Sequence, residues 1–217
     1  MLLSFLIIAS GWWHIRAAYG SDSRQFYISK PLTMLFIIAL AFGYQGDDHN
    51  GSHAWILLGL CLSLAGDVLL MLPRDRFIQG LAAFFVAHLC YIVGFAQGPL
   101  VLKLVDGLLL LLVAGMVFGL LWGQLGEMRI PVFCYMLVII AMAWVAAGAW
   151  HASLTAGSAA ALVGALMFLF SDSMLALDRF RRPFPHATAW IMSSYFAAQF
   201  LIAASLALSL IRISEPT

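Results

Sequence analysis

Charged side chains are scarce in this sequence. Lys and Arg together number 11 and Asp and Glu 10 among 217 residues, while 64% of the residues are hydrophobic. Because a soluble domain carries roughly a quarter charged residues, this composition excludes an ordinary soluble fold and predicts a polytopic membrane protein. The net charge of +1 and the absence of a long basic block also argue against a nucleic-acid partner.

Cysteine pairs and metal-binding motifs are missing as well. Cys61, Cys90 and Cys134 lie in separate apolar segments without a Cys-x-x-Cys spacing, so we expect neither a disulfide nor a thiolate metal site. His49 and His53 have the spacing of helical metal ligands, but they lie in a short loop on the face opposite the two aspartates described below. No three-ligand set assembles near those aspartates, so we predict no metal. The Gly-x-Ser-x-Gly motif of serine hydrolases is absent.

Long apolar runs with short connections make up almost the whole chain. Each run is long enough to cross a hydrocarbon core of about 30 Å as an α-helix, and the alternating pattern of a β-barrel is missing. We therefore predict an all-α, single-domain bundle of eight transmembrane helices over residues 1–217. The predicted ranges are roughly 1–18, 26–45, 54–72, 77–97, 99–122, 130–150, 155–177 and 187–212.

Basic residues cluster in the loops that follow odd-numbered helices. Nine of the 11 Lys and Arg residues fall there, against Lys103 and Arg212 in the even-numbered loops and the C-terminal tail. Because basic loops stay cytoplasmic, both termini should lie on the opposite side, at the inner or plasma membrane if the source is bacterial. The nine are Arg16, Arg24, Lys30, Arg74, Arg76, Arg129, Arg179, Arg181 and Arg182.

Two aspartates interrupt the apolar runs. Asp67 lies in a segment without other charges, six residues before Pro73, and Asp172 lies equally close to the end of the seventh helix. An ionised carboxylate in hydrocarbon costs on the order of a few kcal/mol or more, so such residues usually face a bundle interior and mark function. Both helices run toward the cytoplasm, which puts the two carboxyls in one leaflet. The alternative is a structural hydrogen bond between helices.

Other polar residues accompany the aspartates. Lys30 could extend to the interface, neutralise an aspartate or hold a phosphate, and we favour the phosphate role. His88 and Tyr91 share one face of the fourth helix, and Tyr195 and Gln199 share one face of the eighth. We predict that these residues and Ser171 bind the substrate, although a buried His is more often a hydrogen-bonded core residue.

The motifs recur with an offset of four helices. Gly66-Asp67 and Ser171-Asp172 close the third and seventh helices, while Lys30-Pro31 and Arg129-Ile130-Pro131 open the second and sixth. An offset of four helices preserves direction across the membrane, so the pattern predicts a parallel 4+4 repeat. In the fifth helix, Gly107, Gly115 and Gly119 include a small-x-x-x-small spacing that suits close helix packing or a homo-oligomer interface.

Together these motifs resemble the lysoplasmalogenase (YhhN-like) family of membrane proteins, over a range from about Phe26 to Leu206. The resemblance implies an eight-helix enzyme without a cofactor that hydrolyses the vinyl ether bond of a lysophospholipid, giving a fatty aldehyde and a glycerophospho-base. In that chemistry one protonated Asp donates to the β-carbon, while its ionised partner stabilises the oxocarbenium ion and deprotonates water. The motifs are Lys30-Pro31-Leu32-Thr33, residues 64–71, residues 80–84, His88, Tyr91, residues 171–173, Tyr195 and Gln199.

Two other functions share these features. Intramembrane acids and a 4+4 repeat also suit a proton-coupled transporter or lipid-binding membrane protein, which broken helices at mid-membrane would favour. The segment Ala65-Gly66-Asp67 resembles an intramembrane aspartyl protease, but Leu64 stands where the first glycine of Gly-x-Gly-Asp belongs. Release of aldehyde from a lysoplasmalogen by the purified protein distinguishes the hydrolase from both.

Overall fold

The computed structural model describes residues 2–20, 23–44 and 51–209. Within these ranges the chain forms eight α-helices and no β-strand, which confirms the all-α prediction. The predicted helix ends at 45 and 212, together with His49 and Arg212, lie outside the described residues. The helices are α1 (Leu2–Ala18), α2 (Ser23–Gly43), α3 (Ser52–Met71), α4 (Phe77–Phe95), α5 (Leu104–Leu121), α6 (Arg129–Ser153), α7 (Ala156–Ala176) and α8 (Ala187–Leu208).

Most of these helices are suited to a bilayer. Seven are long and apolar enough to cross a membrane, and α1, with 17 residues, is shorter. Helix α5 begins at Leu104 rather than near residue 99, because residues 99–103 form an extended connection. Helix α7 continues into one π-helical turn, Leu177–Arg181, before the chain turns back into α8. The result is the predicted helical membrane bundle.

Helices α3 and α4 pack closely because α3 presents glycines to aromatic rings of α4. A Cβ atom at Gly59 would lie 2.4 Å from the ring of Tyr91, and one at Gly66 would lie 2.7 Å from the ring of Phe84. Any larger side chain at either position would clash in an interior packed at crystal-like density. The glycine that precedes Asp67 therefore allows Phe84 to pack beside the carboxylate.

The helix contacts agree with part of the predicted repeat. Helix α2 packs against α8, and α6 packs against α4, as a four-helix offset requires. However, the prediction that Lys30-Pro31 opens the second helix is wrong, because α2 begins at Ser23 and contains Pro31 in its interior. In contrast, Pro131 lies in the first turn of α6, so the two prolines are not equivalent. The repeat itself stays a prediction.

The glycines of α5 lie in two different environments. A Cβ atom at Gly107 would lie 3.0 Å from the indole of Trp144, so this glycine serves packing of α5 against α6. A Cβ atom at Gly115 or Gly119 would have no neighbour within 4 Å among the described residues. A homo-oligomer through the exposed side of α5 stays a prediction.

Candidate active site

Both aspartates line one cavity at one end of the bundle. Its walls come from the first turns of α2, α4, α6 and α8 and from the last turns of α3 and α7. Asp67 lies four residues before Met71, the last residue of α3, and Asp172 lies four residues before Ala176, the last of α7. The two carboxyls therefore occupy the same depth of the same end, as expected from the sequence.

Asp67 is held through both carboxylate oxygens. Lys30 Nζ lies 2.8 Å from Oδ1, and Tyr195 donates its hydroxyl hydrogen to Oδ2 at 2.6 Å. Asp67 is fully buried, and the whole Lys30 residue is only 6% exposed. Lys30 therefore does not extend to the interface and does not belong to the first loop, which leaves eight basic residues in or beside the odd-numbered loops. The orientation prediction is unaffected by this correction.

A chain of hydrogen bonds continues from Tyr195 into the core. The amide of Gln199 donates to the Tyr195 hydroxyl at 3.2 Å, and Tyr91 donates to Gln199 Oε1 at 2.8 Å. The Ser63 hydroxyl lies 3.2 Å from the Tyr91 hydroxyl, whose own hydrogen is already used, so Ser63 is the donor. All four donors are directed toward Asp67, and aligned hydrogen bonds favour a negative charge at their acceptor end.

Asp172 has fewer partners. It is half-buried, and the hydroxyl of Tyr135 donates to its Oδ2. Sequence reasoning missed Tyr135, because it precedes no recognisable motif. The signal was available in the repeat, since Lys30 and Tyr135 are 105 residues apart and so are Asp67 and Asp172. A phenol of α6 thus holds the second carboxyl as an ammonium of α2 holds the first.

The predicted residue Ser171 lines the cavity, but its hydroxyl is engaged elsewhere. It donates at 3.0 Å to the main-chain carbonyl of Ile191 and thereby ties α7 to α8. The adjacent Ser173 hydroxyl donates to Leu169 O at 2.7 Å. Both hydroxyls satisfy main-chain carbonyls, so the geometry supports a packing function for them. Binding of substrate by Ser171 stays a prediction.

His88 lies behind the cavity wall rather than on it. Its Nδ1 is 2.5 Å from the carbonyl oxygen of Phe84, which can only accept, so Nδ1 carries the hydrogen. The ring packs edge-on against Phe168, with centroids 4.6 Å apart, and against Tyr135 at 5.4 Å. Its Nε2 is buried and has no hydrogen-bond partner among the described residues. The geometry gives His88 contact with the ring that holds Asp172, not with the cavity.

Within residues 2–20, 23–44 and 51–209, no three His, Cys, Asp or Glu side chains converge as metal ligands. His53 Nε2 instead lies 2.9 Å from the carbonyl oxygen of Ala41. The absence of a metal stays a prediction.

The fold and this cavity define a multi-pass integral membrane protein with two differently partnered carboxyls at one end of a helical bundle. The chain belongs to the YhhN family, whose family model matches residues 25–206. It is 34% identical over 208 residues to the "Uncharacterized membrane protein YhhN" of Escherichia coli O157:H7, covering 95% of this chain and 99% of the relative.

Two human relatives carry a functional name. "Lysoplasmalogenase TMEM86A" is 36% identical over 185 residues, covering 81% of this chain and 74% of the relative. "Lysoplasmalogenase TMEM86B" is 39% identical over 158 residues, covering 72% of this chain and 65% of the relative. No solved structure matches this chain.

Proposed function

We propose that this protein is a membrane hydrolase that cleaves the vinyl ether bond of lysoplasmalogens, releasing a fatty aldehyde and a glycerophospho-base. The relatives named lysoplasmalogenase support a hydrolase of this kind. The observation that carries the proposal is the pair Asp67 and Asp172, which line one apolar cavity with unequal partners. When two carboxyls in one site have different surroundings, one can stay protonated and act as the acid while the other stays ionised.

In this mechanism Asp67 is the permanent anion. Its partner Lys30 lies 2.8 Å away, and the Tyr195 hydroxyl donates to its other oxygen. Removing the charge from Asp67 would leave a buried ammonium without a counter-ion, which is costly in a low-dielectric interior. Because the Lys30 ammonium lies beside it, protonation of Asp67 is disfavoured, and the carboxylate charge can stabilise a cation formed in the cavity.

Asp172 is the general acid. It accepts one hydrogen bond from Tyr135 and lines two cavities whose walls are mainly apolar, where a neutral carboxyl is favoured over a carboxylate. Its proton passes to the β-carbon of the vinyl ether, and the electron pair of the double bond forms the new C–H bond. The α-carbon and the ether oxygen become an oxocarbenium ion near the negative charge of Asp67.

Water completes the reaction. It adds to the α-carbon, and the proton that it releases returns to the Asp172 carboxylate, which restores the acid. The resulting hemiacetal collapses to a fatty aldehyde and the free hydroxyl of the glycerophospho-base. One water is consumed, no electrons are exchanged, and the protein ends in its starting state.

The direct experiment uses the purified protein in detergent. It is given a vinyl-ether lysolipid and, in parallel, an ester lysolipid with the same chain and head group. We expect aldehyde from the vinyl ether and no fatty acid from the ester, since acid catalysis at a β-carbon needs the double bond. Binding without turnover would overturn the proposal and favour a lipid carrier. Fatty acid from the ester would indicate a different hydrolase.

We also propose that the cavity opens toward the cytoplasmic leaflet and that both termini lie on the other side. The loops at the cavity end carry Arg74, Arg76 and the group 179–182, and basic loops remain cytoplasmic. Single cysteines at Arg76 and at Gln97, at opposite ends of α4, test this orientation in sealed vesicles. We expect position 76 to react only from the cytoplasmic side and position 97 only from the other. The reverse pattern would put the cavity in the outer leaflet.

A further inference from the structure

A second cavity adjoins the first and is not used by the mechanism above. It lies between the last turns of α5, the first turns of α6 and the last turns of α7. Its wall is almost entirely hydrocarbon, including Ala114, Val117, Phe118 and Ile139. We call this cavity the α5 crevice.

The two cavities meet at the second aspartate. Tyr135 and Asp172 line both of them, as do Val132 and Ala176. The phenol and the carboxyl that it holds therefore form the boundary between the cavities. A molecule that reached from one cavity into the other would pass directly beside Asp172.

The cavities differ in polarity. The first contains the Lys30–Asp67 ion pair in addition to Asp172, and it lies at one end of the bundle. In the α5 crevice the polar residues are Tyr135, Asp172 and Ser173. The Tyr135 hydroxyl donates to Asp172, and the Ser173 hydroxyl donates to a main-chain carbonyl at 2.7 Å. Apart from the shared carboxyl, the crevice has no free polar group to offer a ligand among its lining residues.

The crevice is also close to lipid. Helix α5 packs mainly against α6, and its outer side is exposed at Leu108, Leu112 and Met116. A surface of this kind in a membrane bundle faces acyl chains of the bilayer. The α5 crevice is therefore separated from the bilayer by a single helix with few contacts to the rest of the bundle.

We propose that the α5 crevice binds the hydrocarbon chain of the substrate while the first cavity receives its glycerophospho part. This inference rests on the proposed function, because in a vinyl-ether lysolipid the reacting carbons join the chain to the polar part. Laying such a molecule across the boundary places those two carbons beside Asp172. The assigned ligand is a single, long aliphatic chain, and Tyr135 is the positioning residue between the two ends.

The first test fills the crevice. Val117→Phe adds volume to its wall, whereas Leu112→Phe adds the same group on the exposed side of the same helix and is the matched control. For Val117→Phe we expect KM to rise about tenfold for a long-chain substrate, the effect of excluding about two methylene groups from an apolar site, and to stay unchanged for a short-chain one. Equal losses for both chain lengths, or a selective loss in the control, would overturn the assignment.

The second test needs no turnover and no variant. A lysolipid with a diazirine at the methyl end of its chain is photolysed with the wild-type protein, and the labelled peptides are identified. We expect label on residues 114–121 of α5 and 136–139 of α6. Label confined to 77–81 or 191–192, around the first cavity, would overturn the inference.

The two proposals fail separately. Label in the α5 crevice without aldehyde release would remove the hydrolase activity and leave the chain site standing. Aldehyde release with label only around the first cavity would do the opposite.

Discussion

Asp67 and Asp172 occupy equivalent depths on helices four apart, yet their surroundings differ. Asp67 is fully buried, with an ammonium on one oxygen and a phenol on the other. Asp172 is half-buried, accepts a hydrogen bond from one phenol, and borders both cavities. A 37-residue separation joins each Asp to its partner from the preceding helix, Lys30 in one half and Tyr135 in the other.

The difference shows how an aspartate near the end of a helix can serve as an anion in one half of the molecule and as an acid in the other. A buried ion pair contributes little net stability, but removing one partner is strongly destabilising. The pair with Lys30 therefore keeps Asp67 ionised. A carboxyl held only by a neutral donor has no counter-ion that requires its charge. The ammonium of Lys30 in one half and the phenol of Tyr135 in the other therefore help to make the two positions chemically unequal.

The largest expected effect comes from removing each acid. Asp67→Asn and Asp172→Asn should each lower kcat by about 10²- to 10⁴-fold, because an amide neither donates the proton nor carries the charge. The combined variant should be little worse than either single one, since groups that act as a unit are not additive. Near-normal turnover of a vinyl-ether substrate by either variant would contradict the paired-acid mechanism.

Stability separates the same two variants. Asp67→Asn leaves Lys30 buried without a counter-ion and should destabilise the protein by about 3–5 kcal/mol, whereas Asp172→Asn leaves no charge behind and should cost far less. Thermal unfolding in detergent measures both. Equal losses of stability would show that the two sites do not differ as described.

Lys30 provides the next largest contrast. Lys30→Met leaves Asp67 buried and unpaired, so it should lower kcat and stability, while Lys30→Met combined with Asp67→Asn should be more stable than either single variant. A matched measurement of KM tests the phosphate role predicted from the sequence. If Lys30→Met raises KM with kcat unchanged, the lysine binds phosphate during turnover and the ion pair is not what catalysis uses.

Tyr135 and Tyr195 allow a comparison in which the expected effects on kcat are smaller. Tyr135→Phe removes the donor that positions Asp172, and a hydrogen bond to a charged or reacting group is worth about 1.5–3 kcal/mol, so kcat should fall roughly tenfold to a hundredfold. Tyr195→Phe should affect kcat less, because Lys30 still holds Asp67. The comparison fails if the order of the two effects on kcat is reversed.

The smallest effect is expected at the far end of the hydrogen-bond chain. Ser63→Ala removes the outermost donor, which is separated from Asp67 by Tyr91, Gln199 and Tyr195. It should cost about 1 kcal/mol of stability with kcat nearly unchanged. Unfolding and steady-state kinetics on the same preparation check both parts. A large loss of kcat would mean that the hydrogen-bond chain does more than orient the Asp67 carboxylate.

Much of this arrangement could be predicted from the apolar segments and from the few polar residues that interrupt them. The spacing of Tyr195 and Gln199 correctly predicted one face of α8, and both side chains lie in the hydrogen-bond chain. The prediction that Lys30 belongs to the first loop is wrong, because Pro31 lies inside α2 and does not start it. In a membrane bundle a proline is tolerated inside a helix when neighbouring groups satisfy the backbone.

By itself, the sequence determined that the chain forms apolar helices, that two of them carry an aspartate near one end, and which loops are basic. These properties follow from local composition and from the absence of water in the bilayer core. The tertiary structure alone decided which groups meet: Lys30 with Asp67, Tyr135 with Asp172, and Tyr195 with an aspartate 128 residues away. Such contacts depend on how helices rotate and pack against each other, and no local pattern records that rotation. It also decided that Asp172, rather than Asp67, stands between two cavities, because cavities are spaces left between helices and belong to no single segment of the chain.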